Sequence, residues 1–169
     1  MKILGIDPGS RRTGYGIVQV RGDQAVLIAA GVVNCVHKSF PERLGKIFSG
    51  LEEIIAKHGP NEVAVETVFV SHNVNSALKL GQARGAAICA AIAAGIPVSE
   101  YAPRAIKQAM VGKGSADKDQ VQHMVRILLG HTEKLEEDAA DALAVALCHQ
   151  HTRQTLDRLQ AASGTGAIK

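Results

Sequence analysis

The chain has 169 residues, of which 46% are hydrophobic and 21% charged. This composition is typical of a folded globular domain and excludes a disordered chain. Two Tyr, three Phe and no Trp disfavour an aromatic ligand cage, and a net charge of +3 does not by itself indicate a polyanionic partner. No apolar run reaches the roughly 18 residues of a membrane helix, so we expect no membrane association.

The first part of the chain predicts three strands and a helix. The turn signals Pro8-Gly9-Ser10 and Gly22-Asp23 separate the strands. Apolar residues at helical spacing follow. The predicted elements are strands over Lys2–Asp7, Gly14–Val20 and Gln24–Cys35 and a helix over Pro41–His58.

The rest of the chain alternates strands and helices. The predicted elements are strands over Glu62–Glu66 and Ile96–Glu100, a long Ala-rich helix over Asn75–Ala94, and three helices over Pro103–Met110, Asp117–Leu129 and Glu137–His151. A three-stranded meander followed by alternating helices and strands predicts an α/β fold, a mixed sheet covered by helices. No internal repeat or linker divides the chain, so we expect a single domain over residues 1–160 and a flexible tail over 161–169.

The cysteines, at positions 35, 89 and 148, are widely spaced and odd in number. This pattern fits neither a disulfide framework nor a zinc cluster. The chain also opens directly on a strand pattern, without a signal segment. We therefore expect reduced thiols and a cytoplasmic protein.

Four acidic residues stand out by their context. Asp7 and Glu66 each end a predicted strand, and Asp138 and Asp141 lie three residues apart on one face of the last helix. Asp141 lies within AADALAVALC, which is apolar on every side, and burial of an unpaired carboxylate is costly. Because the predicted helix contains no Lys or Arg, we expect a divalent metal shared with Asp7 and Glu66 to neutralise this acid.

The ligand type indicates which metal would bind. Carboxylate oxygens suit Mg²⁺ or Mn²⁺ better than zinc. Acids from two strand ends and a helix suit a two-metal site, whose ions lie about 3.5–4 Å apart and clamp the attacking and leaving oxygens of a phosphodiester. We therefore expect two Mg²⁺ ions per site, replaceable by Mn²⁺.

Each acid also has a plainer interpretation. Asp7 and Glu66 can be polar strand ends, and Asp138 can be a helix N-cap. Glu136 and Glu137 precede the apolar run, and we expect them at the solvated start of the helix.

Four ordered segments resemble the RuvC family of Holliday-junction resolvases, within the RNase H-like superfamily. They are ILGIDPGSRRTGYGIV, AVETVFVSHNVNSALKLGQARG, APRAIKQAMVGKGSADKDQV and EDAADALAVALCH, and the resemblance covers about 1–151. It implies an RNase H-like fold, a five-stranded mixed sheet with helices on both faces. The family's catalytic, metal-binding acids match Asp7, Glu66, Asp138 and Asp141. Some members have His at the position of Asp138, so this site would be all-carboxylate.

The resemblance also implies an activity and partners. It implies a homodimeric, Mg²⁺-dependent endonuclease that nicks two strands of like polarity at a four-way DNA junction, symmetrically, and leaves 5′-phosphates during recombination and repair. Family members work beside a junction-binding protein and a branch-migration motor. The resemblance places the Ala-rich helix, with Gly81 and Gly85 near one face, at the dimer interface; packing on its own sheet is the alternative.

Basic residues cluster between the last predicted strand and the last helix. The stretch 104–126 carries as much net positive charge as the whole chain. The candidate DNA-binding residues are Arg104, Lys107, Lys113 and Lys118, with Arg11 after the first turn. Lys107 and Lys118 match positions important for activity in the family. A solvated surface is the alternative for this patch, and exposed turn residues for Arg11 and Arg12.

Phe69 lies three residues after Glu66, beside the polar segment SHNVNS. A core position is one interpretation. The resemblance implies another, in which the ring stacks on bases beside the cut, where a junction is already partly unstacked. His72 is a further candidate for a backbone contact.

Two other functions are compatible with these patterns. ATPases of the actin and sugar-kinase type share the sheet and a D-x-G turn such as Asp7-Pro8-Gly9, but they need two such domains around the nucleotide. A catalytically inactive junction-binding module is the second alternative, and the intact set of acids argues against it.

Overall fold

The computed structural model describes residues 1–36, 38–67 and 73–164. Strands and helices follow one another in the predicted order. They are β1 (Lys2–Asp7), β2 (Arg12–Arg21), β3 (Gln24–Asn34), α1 (Phe40–His58), β4 (Glu62–Glu66), α2 (Val74–Ala93), β5 (Val98–Tyr101), α3 (Pro103–Val111), α4 (Lys118–Leu129) and α5 (Glu137–Gly164).

The five strands form one mixed sheet in the order β3-β2-β1-β4-β5. β2 is antiparallel to both of its neighbours, whereas β1, β4 and β5 run parallel to one another. The register pairs Ile6 with Val65, so Asp7 and Glu66 follow side by side at the carboxyl ends of adjacent strands. The predicted five-stranded mixed sheet is confirmed.

Helices cover both faces of the sheet, as predicted. One core cluster joins the sheet to α1 and α2, through residues such as Leu4, Leu51 and Ala87. The other joins it to α3, α4 and α5, where Leu143 and Leu147 are fully buried. From Ala139 to Gln150, all residues but Asp141 are buried, which makes α5 the central helix of its layer.

α5 packs directly on the backbone of β1 and β2. A Cβ atom at Gly5 would overlap the carbonyl oxygen of Ala142, and one at Gly14 would overlap that of Asp138. No side chain fits between helix and strand at these two positions. The carbonyl contacts therefore fix the first half of α5 close above the ends of β1 and β2.

A buried histidine anchors the middle of α5 to strands β4 and β5. His149 Nδ1 is 2.7 Å from the hydroxyl of Tyr101, and its Nε2 is 2.6 Å from Glu62 Oε2. Arg153 forms an ion pair with the same carboxylate. His149 is thus a structural residue that links α5 to β4 and β5.

The helix ends are mostly as predicted, with one exception. Asp117 caps α4 by accepting a hydrogen bond of 2.8 Å from the backbone N–H of Gln120. The prediction that α5 ends at His151 is wrong, because the segment up to Ser163 contains no Gly or Pro to stop it. Helix therefore covers 161–164, and 165–169 lie outside the described residues.

Two further observations concern the whole described chain. Among the described residues, none of the helices combines the length and the apolarity that crossing a bilayer requires. All three cysteines are free: Cys35 and Cys148 are buried, and Cys89 is exposed.

Candidate active site

The carboxyl ends of β1 and β4 meet a cavity of about 340 Å³. Asp7 and Glu66 enter it from the strand ends, and Asp141 enters from the first turns of α5. Three of the four predicted acids therefore line one cavity, although Asp141 is distant from the other two in sequence.

Burial and mutual repulsion shape the protonation of these acids. Burial, and then the charges of Glu66 and Asp141, raise the pKa of Asp7 to about 8. Asp7 and Glu66 are hydrogen-bonded to each other, and burial also raises the pKa of Glu66. At neutral pH and without a cation, burial and the repulsion between the two carboxylates therefore favour one proton on the Asp7–Glu66 pair.

Asp141 has a different partner from the one expected. Its Oδ2 lies 2.8 Å from the ammonium of Lys118 at the start of α4, which also pairs with Glu137. The predicted helix itself contains no cation, as the sequence indicated, but packing of α4 on α5 brings Lys118 to Asp141 from another helix. Burial lowers the pKa of Lys118, but the bonds to Asp141 and Glu137 outweigh it and raise the pKa above the ordinary value.

Asp138 lies at the margin of the site and is also paired. Arg12 Nε donates to Asp138 Oδ2 at 2.6 Å, and the same guanidinium binds Glu136. The negative charge of Asp138 also raises the pKa of Asp7, but less than burial and the other two acids do. The fourth predicted acid is thus near the other three but points to Arg12.

The donor chemistry of this site fits a divalent metal, whereas the side-chain arrangement is that of a charge-paired state. Carboxylate oxygens are hard, anionic ligands of the kind that Mg²⁺ or Mn²⁺ takes. In this structure, however, the acids are bound to other partners: a proton, the Lys118 ammonium and the Arg12 guanidinium. Within 1–36, 38–67 and 73–164, no group of three or more His, Cys, Asp or Glu side chains is arranged to hold an ion. Metal binding would therefore require the acids to exchange their present partners.

The predicted basic residues divide into two groups. Lys107 and Lys118 line the cavity with the acids. Arg104 and Lys113 are exposed nearby, and Arg104 packs on Gly114 in the loop between α3 and α4. Arg11 is exposed just before β2, and it is not among the residues that line the cavity.

Some residues of the site were not found from the sequence. The apolar wall of the cavity consists of Pro103, Ile106, Val121 and Ala144. Of these, Pro103 carried a sequence signal, because it begins a helix directly after a strand. Glu136 and Glu137, expected to be merely solvated, pair with Arg12 and Lys118. Phe69 and His72 lie outside the described residues.

Comparison with known proteins identifies the family. The model of the family "Crossover junction endodeoxyribonuclease RuvC" matches residues 3–149. The chain belongs to the RuvC family. A RuvC of Methylococcus capsulatus is 60% identical over 158 residues, which cover 94% of this chain and 95% of that protein. A RuvC of Dichelobacter nodosus is 54% identical over 155 residues, 92% of this chain and 88% of that one.

Solved RuvC structures have the same fold. Thermus thermophilus RuvC in complex with a Holliday junction superposes with a TM-score of 0.85 at 40% identity, over 92% of this chain and 96% of that one. The yeast mitochondrial resolvase Ydc2 superposes with a TM-score of 0.67 at 13% identity, over 96% of this chain and 85% of that one, and shows a shared fold alone. RuvC enzymes are metal-dependent crossover junction endodeoxyribonucleases.

Proposed function

We propose that this RuvC protein resolves Holliday junctions by paired, symmetric nicks in strands of like polarity, with Mg²⁺ as its cofactor. The observation that supports the proposal most is the convergence of Asp7, Glu66 and Asp141 on one cavity beside Lys107 and Lys118. Anionic ligands next to two ammonium groups form a site for a metal and a phosphodiester together.

Asp7, Glu66, Asp138 and Asp141 are the residues that would hold the metal. Two ions held by these residues would supply an activated water and charge stabilisation for the leaving 3′ oxygen, and cleavage on that side would give 5′-phosphate ends. For this, Asp7 must lose the proton that it shares with Glu66, and Asp141 must exchange Lys118 for the metal.

Lys107 and Lys118 have the complementary role of binding DNA phosphate. Lys107 is half-buried in the cavity wall, and Lys118 extends from the start of α4. Once Asp141 binds metal, the Lys118 ammonium is free to pair with a phosphate oxygen. Arg104, Lys113 and Arg11 are proposed to contact the DNA backbone farther from the cut.

The outward face of α2 supports the proposed homodimer. Val74 and Leu78 are 68% and 60% exposed, and a Cβ atom at Gly81 or Gly85 would meet open space. These glycines therefore do not serve packing on the sheet, and they permit close approach of a second copy. A two-fold dimer presents two sites to a junction with two-fold symmetry. We further propose a junction-binding protein and a branch-migration motor as partners, and a cytoplasmic location.

The decisive experiment compares a four-way junction with a linear duplex of the same sequence, each with Mg²⁺ and with EDTA. We expect cleavage of the junction alone, only with the metal, at symmetric positions in two strands, with ends that ligase can reseal. ATP hydrolysis without junction cleavage would instead favour the ATPase alternative. Metal-independent binding without cleavage would favour the inactive module.

We predict that Lys107→Ala weakens junction binding in a salt-dependent way. Removal of one phosphate contact should make the slope of log K against log salt shallower by about 0.9, so the defect grows as binding is measured at lower salt and shrinks at higher salt. Fluorescence anisotropy over a salt series measures this slope. Lys57→Ala, an exposed lysine of α1, is the matched control and should leave the slope unchanged. A Lys107→Ala defect independent of salt would indicate a structural role.

We predict that Phe69→Ala slows cleavage while the protein remains folded and dimeric. Base stacking on an aromatic ring is worth about 1–3 kcal/mol, so a rate loss of roughly 5- to 150-fold is expected. Single-turnover cleavage, together with analytical ultracentrifugation, measures both properties. Phe69→Trp retains an aromatic surface and should keep most of the rate. A large loss of thermal stability in Phe69→Ala would show that the ring belongs to the core.

A further inference from the structure

Two cationic side chains bridge the acids at the start of α5 in the same way. Arg12 bridges Asp138 and Glu136, and Lys118 bridges Asp141 and Glu137. Each cation thus holds one proposed metal ligand and one neighbouring glutamate. Lys118 was a candidate from the sequence, whereas the pairing of Arg12 with Asp138 is visible only in the structure.

We infer that Arg12 is a built-in counter-ion that competes with the metal for Asp138 and is drawn away by a DNA phosphate, so that metal binding and DNA binding favour each other. The inference rests on the proposed function, since it takes Asp138 as a metal ligand. It assigns Arg12 a positioning role through Asp138.

The contact geometry allows such an exchange. Arg12 Nε is 2.6 Å from Asp138 Oδ2, so the guanidinium occupies one face of the carboxylate that a cation would use. The side chain of Arg12 is 39% exposed and that of Glu136 is 53% exposed. Ion pairs this exposed are weak because water screens the two charges, so a phosphate or a divalent ion can replace them readily.

The position of Arg12 suits a ligand that arrives with the DNA. Arg12 opens β2, and two residues later Gly14 pairs with Asp7 in the register of the sheet. Its guanidinium therefore lies at the same end of the sheet as the acidic cavity. A planar guanidinium binds phosphate through two parallel hydrogen bonds, and a phosphate beside the site would compete directly with Asp138 and Glu136.

The test measures metal affinity without any turnover. Isothermal titration of Mn²⁺ and Mg²⁺ into the free protein should show about 3- to 10-fold tighter binding for Arg12→Ala than for the wild type, because one positive charge near the ion is removed. Arg12→Lys should stay close to the wild type. Arg21→Ala, which removes an exposed arginine at the other end of β2, is the control and should leave the affinity unchanged.

A second titration measures the coupling. A linear duplex supplies phosphates without the junction. It should tighten Mn²⁺ binding to the wild type more than Mn²⁺ binding to Arg12→Ala. Because the coupling is reciprocal, Mn²⁺ should tighten duplex binding to each protein by the same factor by which the duplex tightens Mn²⁺ binding. Unchanged or weaker metal binding by a folded Arg12→Ala protein overturns the inference and leaves the proposed function intact. Absence of metal binding to the wild type and to Arg12→Ala alike overturns the proposed metal site itself.

Discussion

Asp141→Asn is expected to abolish junction cleavage and to leave junction binding at least as tight as in the wild type. The substitution removes a proposed metal ligand, and a metal contributes several kcal/mol of transition-state stabilisation, which corresponds to a loss of about 10³ in rate. It also removes the partner 2.8 Å from the Lys118 ammonium, which then becomes free to bind phosphate. Single-turnover cleavage in Mg²⁺ and anisotropy with labelled junction measure the two effects.

Glu137→Gln is the matched control for this prediction. It removes the other carboxylate that pairs with Lys118, but it leaves the four proposed ligands in place, so cleavage should stay within a few-fold of the wild-type rate. Near-normal turnover by Asp141→Asn would contradict the assignment of Asp141 as a ligand. An equal loss in both variants would indicate that the position of Lys118, and not metal binding, limits the rate.

Asp7→Asn is expected to stabilise the metal-free protein at high pH while it inactivates the enzyme. The pKa of Asp7 is about 8 in the folded protein against 3.8 ordinarily, so the folded state binds the proton more tightly than the unfolded state. The stability from the protonated form is complete below about pH 4 and is lost as the pH rises towards 8. Because Asn cannot ionise, the Asp7→Asn variant does not lose this stability as the pH rises.

The measurement is thermal unfolding in EDTA between pH 5 and pH 8.5. Each pKa unit is worth about 1.4 kcal/mol, and each kcal/mol shifts Tm by about 2–4 °C in a chain of this size. We expect Asp7→Asn to have the higher Tm at both pH values, with a difference at least about 3 °C larger at pH 8.5 than at pH 5, because the wild type loses stability throughout this interval. Mg²⁺ should raise Tm more in the wild type.

Glu53→Gln, which removes an exposed acid of α1, controls for the loss of one negative charge. It should follow the wild-type curve throughout. A pH-independent difference between wild type and Asp7→Asn would show that the carboxylate of Asp7 is not held protonated by its surroundings. That result would remove the electrostatic argument for the site while leaving the fold unaffected.

Local patterns in the sequence predicted where three of the acids lie in the fold. Strand ends after apolar runs placed Asp7 and Glu66 correctly, since parallel strands end at one edge of a sheet. An acid inside the apolar run of α5 was correctly expected to be largely buried, and the side chain of Asp141 is only 18% exposed. These conclusions required periodicity and burial alone.

The partners of the acids could not be predicted in the same way. Lys118 reaches Asp141 only because α4 packs on α5, and Arg12 reaches Asp138 across 126 positions of the chain. Such pairs depend on the crossing of elements and on side-chain rotamers, which no short-range pattern encodes. The end of α5 was missed for another reason: Thr152–Ser163 shows neither a stop signal nor a strong apolar period, so its helix was invisible to a search for amphipathic repeats.

The bare backbone contacts of α5 at Gly5 and Gly14 have a consequence for inherited variation. Because the carbonyls of Ala142 and Asp138 leave no room for a methyl group there, even an alanine at either glycine must lift the helix that carries two of the acids. Such a protein would fold but lack nuclease activity, although every acidic residue is intact. Inactivating mutations in this enzyme should therefore occur at Gly5 and Gly14 as readily as at the acids themselves, although neither glycine has a reactive side chain.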